Sequence, residues 1–318
     1  MRIFVSGSLA YDRIMDFPGR FSDHILPDKI HILNVCFTVN GLAERFGGTA
    51  GNIAYNLSLL GEKPEILAAA GKDFERYAQW LTHLGLPQGG ICVIPEEFTA
   101  GAYITTDKAD NQITGFNPGA MRHPSRYTFD GIRGDEAIAI ISPGNIEDML
   151  SYSRAFKQRG VPYIFDPGQT ITALTGPQLT EMMTGAALLI SNDYELEMIM
   201  KPTGFDRSAI LRRAGGLITT LGEKGALLKT AAGETRIPAV PVDRVADPTG
   251  AGDAFRAGLL KGLVTGRPLT AAARMGAVCA SFAVEWLGTQ EHAFTLERFW
   301  DRFQASFGDG GDSAALRA

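Results

Sequence analysis

Cysteine is scarce in this 318-residue chain, which has three, Cys36, Cys92 and Cys279, far apart and each beside apolar neighbours. They offer no metal-ligand spacing and no disulfide framework, so they read as reduced core residues of a cytosolic protein. The five histidines, His24, His31, His83, His123 and His292, show no metal-binding spacing either. At the N-terminus the apolar run Ile3-Phe4-Val5 is too short for a signal peptide or a membrane span, which agrees with a cytoplasmic location. A net charge of −5 lacks the basic excess expected of a nucleic-acid or anionic-membrane partner, leaving a small molecule as the natural substrate class.

Two common phosphate-binding signatures are also missing. No G-x-x-x-x-G-K-[ST] occurs, which excludes a Walker-type ATPase. Gly250-Ala251-Gly252 is followed three residues on by Phe255 and not by glycine, which excludes the dinucleotide fingerprint.

What is present is an α/β rhythm. With 45% apolar residues the chain can bury a large core, as one big α/β domain or two smaller ones. Short apolar runs at 3–6, 66–70, 137–141, 163–165, 187–190 and 217–220 suit parallel strands buried on both faces, with helical stretches between most of them. Segments 17–46 and 102–116 fall outside this rhythm. Ile30 to Val39 reads as extended, and together the two segments predict a small accessory sheet, a lid able to exclude water from a transfer reaction or a structural flap. The tail from Gly308, rich in glycine and aspartate, reads as disordered.

The most informative stretch is Asp247-Pro248-Thr249-Gly250-Ala251-Gly252-Asp253, which leads into the apolar run Leu259, Leu260, Leu263 and Val264. It predicts a loop entering a helix N-terminus, where free amides and the helix dipole attract phosphate. A carboxylate at position 253 would repel a resting phosphate. In a transfer to a hydroxyl it has a use, as the base that takes the alcohol's proton while the amides of Gly250, Ala251 and Gly252 stabilise charge. A helix-start aspartate after two turn glycines is the competing reading.

Other candidates stand at the ends of predicted elements. Ser8 and Asp12 follow the first strand, where a carboxylate can accept hydrogen bonds from sugar hydroxyls. Gly47-Gly48-Thr49-Ala50-Gly51-Asn52 precedes a helix carrying Ile53, Leu57 and Leu60, and Gly48 and Asn52 are candidate ligand contacts. Asp166-Pro167-Gly168-Gln169 is either a loop or part of the acceptor pocket, with Gln169 the contact. Asn192 and Glu195 form an Asn-x-x-Glu that suits a water-rich Mg²⁺ and equally a helix capping box.

Asp247 to Asp253 resembles the C-terminal signature of the ribokinase-like (PfkB) carbohydrate kinases, and Gly47 to Asn52 resembles their N-terminal substrate motif. Asn192 to Glu195 is similar to their Mg²⁺ and phosphate motif, and Thr220-Leu221-Gly222-Glu223-Lys224-Gly225, otherwise a hairpin turn, to their nucleotide loop. Four motifs in family order imply one three-layer α/β/α domain over residues 1–307 with a small β-sheet lid at about 13–46 and 98–118. They also imply ATP at Asn192, Glu195, Thr220, Gly222 and Gly225, Mg²⁺ held through water at Glu195, and a monovalent cation such as K⁺ at Asp247 and Thr249.

Within the family the likeness is to bacterial adenosine kinases, carried by Phe17 to Ser22, Phe46 to Asn52, Phe116 to Met121, Asn192 to Glu195 and Gly288 to Glu291. It implies phosphorylation of the 5′-hydroxyl of adenosine, with Phe116 stacking on the purine. Ala102 and Tyr103 depart from the pattern where a second stacking aromatic is expected. A sugar or other nucleoside kinase of the same fold is the alternative; a non-catalytic sensor is the competing class, disfavoured because binding alone requires no base. The apolar lid run Ile30 to Val39 also offers a surface for a homodimer.

Overall fold

The structure, a computed structural model, describes residues 1–308; the tail read as disordered lies outside these apart from Gly308. The strands are β1 (Arg2–Ser6), β2 (Ala10–Asp16), β3 (Ala43–Gly47), β4 (Glu65–Gly71), β5 (Ile91–Ile94), β6 (Ala100–Thr106), β7 (Gln112–Asn117), β8 (Ala137–Ile141), β9 (Tyr163–Phe165), β10 (Leu188–Asn192), β11 (Gly216–Thr220), β12 (Ala226–Thr230) and β13 (Gly233–Ile237). The helices are α1 (Thr49–Leu59), α2 (Glu75–His83), α3 (Ile146–Arg159), α4 (Gly176–Met183), α5 (Asp193–Thr203), α6 (Arg207–Leu211), α7 (Ala251–Val264), α8 (Leu269–Ala283) and α9 (Leu296–Phe307).

Nine strands form the large sheet in the order β13-β12-β11-β10-β9-β8-β1-β4-β5, parallel except for the β11-β12-β13 meander at one edge. Period-two alternation assigns its side chains to two cores. Ile3, Val5, Ile66, Ile138, Ile140, Ile190 and Ile218 pack under α1, α2, α7, α8 and α9. Phe4, Leu67, Ala139, Ile141, Phe165, Leu189 and Leu217 pack under α3 to α6. The apolar runs fall on the buried strands, and the whole is the three-layer α/β/α arrangement that the resemblance to the ribokinase-like kinases implies. No helix among the described residues is long and apolar enough to cross a membrane.

A second sheet, ordered β3-β2-β6-β7, grows directly out of β1, with only residues 7–9 between β1 and β2. Here the expectation for 30–39 fails. Pro27 opens a 3₁₀ segment, Pro27–Ile32, and the following residues pair with no strand. The run pairs with neither β3 nor β7, the edges of this sheet; from Pro27 it is taken up by the 3₁₀ segment and by aromatic packing instead. The segment is held by the aromatic cluster of Phe17, Phe21, His24 and Phe37 and by Asp107, whose carboxylate accepts from the Phe21 amide at 2.9 Å. Ile30, Ile32 and Leu33 stay exposed, and 30–39 forms no strand within the chain.

Helices α7 and α8 pack backbone to backbone through glycine. A Cβ on Gly258 would stand 2.4 Å from the carbonyl oxygen of Met275, and one on Gly262 2.5 Å from Ala272. Gly258→Val should therefore lower unfolding free energy by about 1–3 kcal/mol, as for other overpacked cores, measurable as a lower denaturation midpoint at unchanged slope.

Candidate active site

Two helices, α1 and α7, start at the carboxyl side of the large sheet, and each has a glycine N-cap in the left-handed region. Gly48 has φ 88° and Gly250 φ 80°. Neither position has room for a side chain: a Cβ on Gly48 would meet Ser8 O at 2.5 Å, and one on Gly250 would meet Thr289 Cγ2 at 2.9 Å. Glycine is thus required on conformational and steric grounds together. The caps bring the two first turns close enough for Asn52 Nδ2 to donate to Asp253 Oδ2 at 2.8 Å.

Asp253 is accordingly a first-turn residue of α7, as the sequence suggested. Its surroundings go beyond those of a helix-start aspartate. Burial pushes its carboxyl up to about 7, against the opposing pull of Arg256 and the Asn52 hydrogen bond, while Asp166 and Glu195 push it further up. The amides of the same turn point out of the helix, as in an anion site. That of Ala251 turns back to Pro248 O at 3.2 Å, leaving the amides of Gly250 and Gly252 as the remaining loop donors among the three candidates.

Arg256 has no precedent in the sequence reading. It lies on α7 with its guanidinium buried, forked across the Asp166 carboxylate through Nε and through Nη2 at 2.6 Å, and with Nη1 on Gly252 O at 3.0 Å. A bidentate pair of this kind is geometrically specific. Asp166 terminates β9, so the pair ties a strand end to the anion loop. Three carboxylates, Asp166, Asp253 and Glu195, surround Arg256 and raise its proton affinity against the opposing effect of burial, so the guanidinium stays charged. An arginine next to Phe255 in a helix whose other charges are Asp253 and Lys261 was the available signal, because buried arginines are rare unless paired.

Loop 288–291 wedges between the two helix starts. Gly288 N donates to Asp247 Oδ2 at 3.1 Å, Thr289 Oγ1 to Phe46 O at 3.0 Å, and Gln290 Nε2 to Asn52 Oδ1 at 3.1 Å. Asp247 Oδ1 accepts from Thr249 N at 2.9 Å, and these donors with nearby Arg45 keep Asp247 ionised below the usual carboxylate range, in spite of partial burial.

The remaining candidates divide. Asp12 pairs in register with Arg45 on β3 and Ala102 on β6, and Ala102 with Phe116 on β7, so Arg45, Asp12, Ala102 and Phe116 form one row across one face of the small sheet. Phe116 is 54% exposed, its ring open to a ligand. Tyr103 is on the opposite face, where its hydroxyl accepts from Arg13 Nη1 at 3.1 Å, so the aromatic missing at Ala102 is not supplied by its neighbour. Burial raises the Asp12 carboxyl, and Arg45 opposes the rise.

Ser8 is turned into the protein. Its hydroxyl accepts from Thr49 N at 3.0 Å and its carbonyl from Ala50 N at 3.0 Å, both at the start of α1. Asn192 and Glu195 make a complete capping box at the start of α5, with Asn192 Oδ1 on Glu195 N at 2.7 Å and Glu195 Oε2 on Asn192 N at 2.8 Å. Thr220 closes β11, and Gly222 and Gly225 bound the 3₁₀ turn into β12. Gln169 is exposed in a short 3₁₀ segment after β9.

A parallel sheet with a carboxylate and an anion loop at one helix start, faced by a small second sheet, defines a ribokinase-like phosphotransferase with an alcohol group as acceptor. The chain matches the pfkB family carbohydrate kinases over residues 20–295 and belongs to that family. It is 32% identical over 274 residues to the nucleoside kinase of Methanocaldococcus jannaschii, which spans 85% of this chain and 89% of that protein. The crystal structure of a Methanocaldococcus jannaschii nucleoside kinase superposes with a TM-score of 0.86 at 30% identity, covering 96% of this chain and 99% of that one. Burkholderia thailandensis nucleoside kinase in complex with ADP-inosine gives 0.83 at 40% identity, covering 96% of each chain.

The sign of the pH dependence follows from the cause of the Asp253 shift. Burial disfavours the charged form, so the carboxylate able to accept a proton is lost as pH falls through about 7. A plot of kcat/KM against pH should show an acid limb of unit slope near that value; a limb at ordinary carboxylate pH would mean that burial does not set the proton affinity of the acting group.

Proposed function

We propose that the protein is a nucleoside kinase that moves the γ-phosphoryl group of ATP to the 5′-hydroxyl of adenosine, in the cytoplasm. The observation that carries this reading is Asp253: a carboxylate of raised proton affinity in the same helix turn as the anion loop, oriented by Asn52 from a second helix start. In the transfer the 5′-oxygen forms a bond to the γ-phosphorus as the bond to the β,γ-bridging oxygen breaks. Asp253 takes the hydroxyl proton, and the amides of Gly250 and Gly252 meet the charge on the transferring group.

Asp12 and the Gly48 turn would receive the ribose hydroxyls, and Phe116, on the same sheet face as Asp12, would stack on the base. The small sheet then acts as a lid that excludes water. Thr220, Gly222 and Gly225 would border the nucleotide. Gln169, exposed after β9, would border the acceptor.

Mg²⁺ fits the site as an ion that keeps most of its waters. Among the described residues no three His, Cys, Asp or Glu side chains converge on one point, yet Glu195 and Asp166 lie near enough for each to feel the other's charge. When bound with ATP, Mg²⁺ supplies charge neutralisation on the phosphates, and Glu195 would hold it through water. Asp247 keeps lone pairs beyond its two amide donors, so with Thr249 it would meet a monovalent cation, in competition with Arg45.

Inosine in the Burkholderia complex favours a second reading, a kinase of broader nucleoside range on the same site. ADP release with Mg-ATP against adenosine, inosine, guanosine, cytidine, ribose and fructose separates the two. Adenosine turnover should fall about 10²- to 10⁴-fold in Asp253→Asn, and Phe116→Ala should raise KM for the nucleoside far more than for ATP. Equal turnover of inosine selects the broader range, turnover of free sugars alone rejects the nucleoside reading, and unchanged kcat in Asp253→Asn removes the base.

A further inference from the structure

Asn52 reaches Asp253 with its amide nitrogen, and only one amide orientation allows it. The opposite flip would set Asn52 Oδ1 against a carboxylate oxygen at 2.8 Å, two acceptors with no proton between them. Something must hold the amide in the donating sense. The neighbouring contacts identify it. Gln290 Nε2 donates to Asn52 Oδ1 at 3.1 Å and to the Tyr77 hydroxyl at 2.8 Å, so both of its hydrogens are used. Tyr77 in turn donates to Gly47 O at 2.9 Å.

The orientation of Gln290 is fixed by Trp80. An indole N–H can only donate, and Trp80 Nε1 donates to Gln290 Oε1 at 2.8 Å, which forces Gln290 Nε2 toward Asn52. Trp80 itself is held by stacking on Phe46 at 5.5 Å and 2°. The donors therefore run in one sense along Trp80, Gln290, Asn52 and Asp253. Gln290 and Asn52 are each 5% exposed and Tyr77 is fully buried, so water is not at hand to replace a lost partner.

We propose that Gln290, with its amide oriented by Trp80, is a positioning residue for the transfer: it keeps Asn52 donating to Asp253 Oδ2 and leaves the other carboxylate oxygen for the proton of the acceptor hydroxyl. This rests on Asp253 being the base. The charged groups that also act on Asp253, Arg256 on its own helix, Asp166 after β9 and Glu195 on α5, lie outside this chain of amides. His292, two residues from Gln290, is held neutral by burial, its proton affinity lowered to about 4, with Nε2 on Asn56 Oδ1 at 2.8 Å.

The test is steady-state kinetics of Trp80→Phe, Gln290→Leu and Gln290→Glu, each alone and combined with Asp253→Asn. Trp80→Phe keeps an aromatic ring at the stack and removes the donor with one ring of the indole, leaving Gln290 and its amide in place, so it stands even where the leucine variant does not fold. Each single change should lower kcat by about ten- to a hundredfold, the range for a lost hydrogen bond to a charged group, with both KM values within about threefold. Gln290→Glu should be the most severe, because a carboxylate at 290 pulls the Asn52 amide toward itself. In the Asp253→Asn background the same changes should have no further effect on kcat. Wild-type kcat in Trp80→Phe and Gln290→Glu, or an equal fall in the Asp253→Asn background, overturns the inference while the base stands. An Asp253→Asn enzyme of undiminished kcat overturns both.

Discussion

The site depends on two helix N-termini meeting at hydrogen-bond distance. Ordinary residues cannot make that approach, since a Cβ at either N-cap would strike the strand-end backbone or Thr289. With glycine at 48 and 250, the first turns of α1 and α7 close on each other, and a single bond between Asn52 and Asp253 joins them. Their dipoles then aim two positive ends at one volume, which favours an anion there and offsets part of the charge that a phosphate brings. The loop at 288–291 locks the approach by binding β3, the Asp247 loop and α1 at once.

A second constraint lies beneath this one. Asp166 raises the proton affinity of both Glu195 and Asp253, Glu195 raises that of Asp253 as well, and Arg256 is the positive charge that opposes the rise at both. A buried ion pair contributes little to net stability when desolvation is counted, but removing one partner alone is costly. The fork on Asp166 and the contact to Gly252 O give Arg256 a geometric part as well, since they link the end of β9 to the glycine loop that opens α7.

Local patterns were legible in the sequence and distant pairings were not. The buried strands are short apolar runs, and the helix start at Asp253 is written in its two glycines. The capping box at Asn192 and Glu195 is spelled by the same four residues as a metal motif, so the string alone could not choose between them. Ile30 to Val39 misled because alternation says nothing about whether an edge is available for pairing. Gln290 and Arg256 received no site role from the sequence: their partners lie 238 and 90 positions away, and no local spacing records such a contact. Ser8 was read as a ligand contact because strand ends gather ligands, and its bond with the backbone of α1 depends on a helix start that the string does not place beside it.

The central position of β1 has a consequence for synthesis. Residues 2–6 find their partners at 65–67 and again at 137–141, and the bond between Asn52 and Asp253 spans 201 positions. A chain emerging from the ribosome holds its first strand unpaired on one side until nearly half its length is made, and such non-local pairing is slow and leaves an edge open meanwhile. The site itself has no partial form: until α7 and the 288–291 loop have emerged, Asn52 has neither of its side-chain partners, and no amino-terminal fragment that ends before them can assemble it.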